Sequence, residues 1–208
     1  MALLLPSFIL AQVEKHTESY VSPPIPAEVM VGNKSSVYQL LIHRKIVKDK
    51  KFDYFSLISY KNNYDDNIPN SFFIQSVVTY DIMKNLSVGL GANIKSFDGV
   101  KPLISAFYIN ASKNYFLLIQ PAYELHKDGL FELFTTYTWS PKNDRKIQPY
   151  FNIQALTSFK EKHAFSYHRW SLGIQYKIFR FGPALNTQYY GEEAISETNV
   201  GGFINVLI

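Results

Sequence analysis

An alternation of apolar and polar residues runs through almost the whole chain and constrains its fold more than any other feature. In the segment 168–178, Trp170, Leu172 and Ile174 occupy one set of alternate positions. Arg169 and Gln175 occupy the other set. Successive side chains of a β-strand point to opposite faces, so this period separates an apolar face from a polar face. Because no stretch sustains the 3.6-residue period of an amphipathic helix, the pattern predicts an all-β protein.

Polar clusters divide the alternating segments into about twelve predicted strands. These are residues 25–32, 37–46, 52–60, 71–81, 86–96, 101–111, 115–125, 130–139, 148–158, 166–178, 181–190 and 198–208. Their short connections carry the Asn, Asp, Gly and Pro residues of hairpin turns between antiparallel neighbours. We therefore predict a transmembrane antiparallel up-and-down β-barrel over residues 25–208, with about 12 strands in a range of about 10 to 12.

The main alternative to a membrane barrel is a soluble β-sandwich or a lipocalin-like binder. The exterior of such a protein is rich in charged residues along its strands. Here the polar strand faces carry mostly Ser, Gly, Asn, Gln and Thr, and charges concentrate in connections such as 47–51, 142–146 and 160–162. Aromatic residues also recur near the predicted strand ends, as in the interfacial girdles of membrane barrels. Both features favour lipid-spanning strands.

Composition and the N-terminal segment bear on location. The chain has no cysteine, which excludes disulfides, thiolate metal sites and a cysteine nucleophile. Its net charge of +4, with both signs interleaved, argues against a nucleic-acid partner. Residues 1–11 form an apolar run ending in Ala11 and predict a signal peptide, followed by a polar segment over residues 12–24. The usual preceding basic residues are missing, so either the start has been trimmed or the run is not a signal.

Three segments carry a resemblance to a known class of protein. They are residues 79–91 (TYDIMKNLSVGLG), 169–177 (RWSLGIQYK) and 201–208 (GGFINVLI). They resemble strands of porin-like outer-membrane β-barrel proteins of Gram-negative bacteria, without indicating a subfamily. The resemblance implies an outer-membrane location, contact with lipid and lipopolysaccharide, and insertion by the barrel-assembly machinery. Such families usually end their last strand with an aromatic residue, whereas this chain ends in Ile208.

Catalytic and metal-binding residues are not evident in the sequence. None of the five histidines lies in a context like that of barrel lipases or deacylases. His163 and His168 with Glu161 match no common metal-ligand spacing, and a polar loop is the preferred interpretation. Asp65 and Asp66 lie in a predicted loop and are assigned to turn formation. We therefore predict no enzymatic activity, no metal and no cofactor.

The parity of the strands predicts which residues line the lumen. If Trp170, Leu172 and Ile174 face lipid, the alternate positions face inward. The predicted lumen-lining residues are Asn93, Lys95, Gln120, Glu124, Glu132, Asn152, Gln154, Arg169, Gln175, Lys177, Asn186 and Gln188. They form either a polar pore of mixed charge or a network of buried salt bridges that fills a narrow barrel.

Three functional hypotheses follow from this assignment. The first is a passive, porin-like channel for small solutes, favoured by the polar inward positions. The second is a non-transporting barrel that acts as a structural or binding subunit of a larger cell-envelope complex. Strands that are apolar on both faces favour it. The third is an outer-membrane hydrolase, which is retained because the fold supports such enzymes.

Overall fold

The computed structural model describes residues 24–46, 51–127, 129–141 and 145–208 and is all-β. Its twelve strands are β1 (Pro26–Gly32), β2 (Ser35–Lys45), β3 (Phe52–Asn63), β4 (Ser71–Met83), β5 (Leu86–Lys95), β6 (Gly99–Ala111), β7 (Tyr115–Glu124), β8 (Phe131–Trp139), β9 (Ile147–Phe159), β10 (His163–Tyr176), β11 (Phe179–Tyr190) and β12 (Ile195–Leu207). The predicted signal peptide and nearly all of the polar segment after it lie outside the described residues.

Every strand pairs with its sequence neighbours in antiparallel orientation, and β1 pairs with β12 to close the barrel. The closing register runs from Pro26 opposite Leu207 to Gly32 opposite Gly201. The predicted fold, a closed antiparallel barrel of about twelve strands, is confirmed. We call the rim where β1 begins and β12 ends the terminal end, and the opposite rim, which carries the connection 64–70, the loop end.

Alternation along each strand separates a lumenal face from an outer face. On β5, Ser87 and Asn93 are buried in the interior, whereas Val88 and Leu90 lie on the outside, with Leu90 64% exposed. Large apolar side chains are exposed on the outer face of every strand. No helix in the described ranges is long and apolar enough to cross a bilayer. The apolar outer surface is the one expected of strands that face lipid.

Aromatic residues form rows near both ends of the outer surface. Tyr38 and Tyr60 lie opposite each other on β2 and β3 towards the loop end, with ring centroids 6.2 Å apart. Phe52 and Tyr80 pair on β3 and β4 towards the terminal end, with centroids 5.2 Å apart. Phe52 and Tyr60 are eight residues apart, about 27 Å along the strand, or roughly 20 Å after allowing for strand tilt. This spacing matches an apolar band between two aromatic girdles.

Candidate functional site in the barrel interior

A cluster of buried charges crosses the lumen between β5, β7 and β8. Lys95 Nζ lies 2.7 Å from Glu124 Oε1 and 2.8 Å from Glu132 Oε1. Asn93 Nδ2 donates to the same two carboxylates over 2.9 and 2.8 Å. His126 Nε2 lies 3.3 Å from the second oxygen of Glu124. We call Asn93, Lys95, Glu124 and Glu132 the Lys95 cluster. Its members satisfy one another, as buried charges require.

The part of the interior next to this cluster is closely packed. Gln75 Nε2 donates to Asn93 Oδ1 over 3.0 Å, and Gln120 Nε2 donates to Gln75 Oε1 over 2.6 Å. An apolar cluster fills the same side of the lumen and consists of Phe55, Leu57, Val77, Leu103, Phe107, Leu118, Ala122, Phe134 and Leu156. Side chains from β3 to β9 therefore close this side of the barrel, which we call the packed side.

The other side of the interior is mixed. A second buried apolar cluster lies there and consists of Met30, Val37, Tyr150, Ala184 and Phe203, and the polar part is crossed by one arginine. Arg169 projects from β10 to the wall formed by β1 and β2. There its Nη1 lies 3.5 Å from Glu28 Oε1 and donates to Gln39 Oε1. Asn205 Nδ2 on β12 donates to the other oxygen of Glu28 over 3.3 Å. The contacts of Arg169 join β10 to β1 and β2, which lie three and four strands away around the sheet, so its side chain reaches across the lumen.

Three open spaces lie along the barrel axis. A vestibule of about 460 Å³ at the loop end is bordered by residues that include Lys61, Lys95, Glu132, Arg169, Asn186 and Gln188. A central cavity of about 60 Å³ is bordered by residues that include Glu28, Gln39, Asn152, Gln154, Arg169 and Asn205. A vestibule of about 480 Å³ at the terminal end is bordered by residues that include Pro26, Leu41, His43, Phe116, Ser140 and Arg180.

The predicted lumen-lining residues occupy three kinds of position. Eight are buried: Asn93, Gln120, Glu124, Glu132, Asn152, Gln154, Arg169 and Asn186. Lys95, Gln175 and Gln188 are partly buried. Gln175 Oε1 accepts hydrogen bonds from Ser140 Oγ and Arg180 Nε near the terminal end, over 2.8 and 2.9 Å. Lys177 is exposed in the turn between β10 and β11, with φ of 54°, and lies outside both strands.

Other interior residues were not among the predicted set. Lys61 Nζ donates to Gln188 Oε1 over 2.8 Å and to Glu197 Oε2 over 3.0 Å, across the loop-end vestibule. Lys61 follows the predicted strand 52–60 directly, so extending that strand by one residue would have identified it. Glu28 lies two residues before Met30 in the predicted first strand, so both occupy the same face. The alternation in this strand could therefore have identified Glu28 as an interior residue. Arg180 was missed because the predicted strand began at Phe181.

A serine and a histidine meet on the outer face near the loop end. His163 Nε2 lies 2.8 Å from Ser166 Oγ, and His163 Nδ1 lies 2.6 Å from the carbonyl oxygen of Gly191. A register shift between His163 and Phe165 brings residues 163 and 166 to the same face, although an odd separation normally places them on opposite faces. Within the described ranges, no group of three or more His, Asp or Glu residues could hold a metal ion.

Alternating burial, two aromatic rows and closure by twelve antiparallel strands together define the class of protein. This is a closed, twelve-stranded antiparallel β-barrel with a porin-like fold, an apolar exterior and an interior that is partly polar and partly packed with apolar side chains.

Comparison with solved structures gives the same fold. The NanC porin superposes with a TM-score of 0.51 at 9% sequence identity, covering 90% of this chain and 100% of that one. The KdgM porin gives a TM-score of 0.49 at 11% identity, covering 88% and 99%. LpxR from Salmonella typhimurium gives 0.42 at 8% identity, covering 88% and 99%. No protein-family model matches the sequence, and no curated protein matches it significantly.

Proposed function

We propose that this protein is an outer-membrane channel for small solutes. The observation that carries the proposal is the succession of two vestibules and a central cavity along the barrel axis. The loop-end vestibule and the central cavity meet at Arg169, and the central cavity shares Pro26, Leu41, Phe116, Thr138 and Arg180 with the terminal-end vestibule. A solute would therefore follow these three spaces from one rim to the other.

Buried polar atoms along this route favour a hydrated passage. Arg169 Nε, Asn186 Oδ1 and Asn205 Oδ1 are buried and have no hydrogen-bond partner among the described protein groups. Buried polar groups almost always bond to protein or to water, and a polar cavity of this size has room for a few water molecules. The three residues border the loop-end vestibule or the central cavity. We therefore propose that water occupies the route that solutes would take.

Conductance of the purified protein tests the proposal. Refolded protein would first be shown to be native by its gel shift between boiled and unboiled samples, and then inserted into planar bilayers and liposomes. We expect discrete conductance steps and swelling in small solutes, with a small unit conductance because the central cavity is narrow. Natively folded, inserted protein that neither conducts nor allows swelling would refute the channel.

A second candidate function is a non-transporting barrel within an envelope complex. The apolar cluster on the packed side favours it, because this cluster fills much of the lumen and stabilises a scaffold without serving transport. Mild-detergent extraction from native membranes, followed by native electrophoresis, distinguishes the two candidates. A discrete larger assembly that loses integrity without this chain, together with absence of conductance, would favour the scaffold.

The pair of His163 and Ser166 gives the hydrolase hypothesis a concrete site. An N–H at Nδ1 donating to the Gly191 carbonyl leaves Nε2 free to accept the serine proton, as a general base must. Against this role, Ser166 is only 6% exposed, so a substrate has little access to its hydroxyl. We expect no release of fatty acid from phospholipid or lipopolysaccharide. Release that is abolished by both Ser166→Ala and His163→Ala would establish the hydrolase instead.

A further inference from the structure

Arg169 lies at the boundary between two of the open spaces along the barrel axis. Of the residues that the structure describes, it alone borders both the loop-end vestibule and the central cavity. At the other boundary, five residues border both the central cavity and the terminal-end vestibule. Arg169 therefore separates the loop-end vestibule from the central cavity. The boundary between the central cavity and the terminal-end vestibule is wider.

The contacts of Arg169 hold it across the route. Its guanidinium reaches from β10 to Glu28 and Gln39, which lie on β1 and β2. The residue is 5% exposed, and its Nε has no hydrogen-bond partner among the residues that the structure describes. The side chain is held by one ion pair and one hydrogen bond at its tip, while its base extends from β10, three strands away from β1 around the sheet. The arginine therefore bridges the lumen without being part of the apolar cluster.

Glu28 retains a partner when the arginine is removed. Asn205 Nδ2 donates to Glu28 Oε2 over 3.3 Å, and the carboxylate borders the central cavity, where water can reach it. Removal of one partner from a fully enclosed ion pair is strongly destabilising, whereas access to water reduces that cost. The fold is therefore expected to tolerate the loss of the Arg169 side chain.

We propose that Arg169, held by Glu28 and Gln39, is the partition that sets the constriction of the channel. This inference rests on the proposed channel function. With the arginine in place, Arg169 is the one described residue that the loop-end vestibule and the central cavity share. Without it, the two spaces join into one.

The test compares single-channel conductance of the wild type with Arg169→Ser and Arg180→Ser. Both variants remove one arginine from the wall of the central cavity, so they change the charge equally. Arg180 lies at the broader boundary, towards the terminal end. We expect Arg169→Ser to raise the unit conductance at least about threefold and Arg180→Ser to change it by less than about twofold, because the narrowest point dominates conduction.

Glu28→Gln adds a variant that keeps the arginine but weakens its anchor. We expect conductance between that of the wild type and Arg169→Ser, with more frequent fluctuations, because the guanidinium loses its ion pair. Each variant must first show the native gel shift.

The possible outcomes distinguish a failure of the proposed Arg169 partition from a failure of the proposed channel function. If the wild type conducts and Arg169→Ser conducts equally, the partition is refuted while the channel stands. An equal rise in both arginine variants would show an effect of charge and would also refute the partition. If the folded wild type and all variants are silent, the proposed channel fails and the partition fails with it. A silent wild type with a conducting Arg169→Ser variant would refute conduction by the wild-type protein, while showing that Arg169 closes the lumen.

Discussion

At the scale of single residues, Lys95 holds together two carboxylates that would otherwise repel each other inside the barrel. Its ammonium lies within 2.8 Å of both Glu124 and Glu132, and both acids are almost fully buried. Lys95→Met should lower the free energy of unfolding by about 3–5 kcal/mol, because it leaves the buried Glu132 carboxylate without a cation, whereas Glu124 keeps Lys101 at 3.9 Å. Urea unfolding in lipid vesicles, followed by tryptophan fluorescence, measures the change.

Two further variants control for the Lys95 result. Lys162 also pairs with a glutamate, Glu192, at 2.7 Å, but both side chains are more than half exposed. Lys162→Met should therefore change stability by less than about 1 kcal/mol. Adding Glu132→Gln to Lys95→Met should restore part of the lost stability. A Lys95 effect no larger than that of Lys162 would show that the cluster contributes little.

At the scale of the strands, β10 and β11 approach each other so closely that only glycine fits at one inward position. A Cβ added to Gly182 would lie 2.1 Å from the carbonyl oxygen of Leu172, which belongs to the backbone and cannot rotate away. Gly202 on β12 provides a matched control, because the nearest atom to its added Cβ is at 3.5 Å, an ordinary contact. Strand glycines of this kind mark close approach of neighbouring backbones.

We therefore expect Gly182→Ala to destabilise the barrel by about 1–3 kcal/mol, the usual cost of overpacking, and Gly202→Ala to have an effect below about 1 kcal/mol. Equilibrium unfolding of the two variants in the same lipid measures the difference. Equal stabilities would mean that the two strands separate at little cost.

At the scale of the whole molecule, the outer surface determines where the barrel resides. Leu90 lies between the two aromatic rows and is 64% exposed, whereas Phe97 is 74% exposed in the connection between β5 and β6. Arginine at a lipid-facing position near the bilayer midplane costs about 2–4 kcal/mol, and near the interface only about 0–1 kcal/mol. Leu90→Arg should therefore destabilise the protein in vesicles far more than Phe97→Arg does.

The same pair of variants separates a membrane barrel from a soluble one. On a water-soluble barrel, an arginine at either exposed position would be nearly neutral and would increase solubility. Similar unfolding free energies for the two variants in vesicles would contradict the lipid-facing assignment of β5.

Local sequence was sufficient for the strands and their faces, because the two-residue period depends only on the geometry of an extended chain. Asn93 and Glu132 were assigned to the interior from parity alone, and both are buried there. Parity failed where the local backbone departs from a regular strand. Lys177 turns out of β10 with a positive φ, and a register shift beside Ala164 places His163 and Ser166 on one face.

The sequence by itself therefore determined the all-β class, the approximate number of strands and the division into apolar and polar faces. Only the tertiary structure decided which polar residues meet, such as Lys95 with Glu124 and Glu132, and which side of the lumen is packed. Those contacts join strands that are not adjacent in the sheet, so they depend on closure and on the register around the whole barrel. For the same reason, only the closed barrel places Arg169 between the two walls of the lumen.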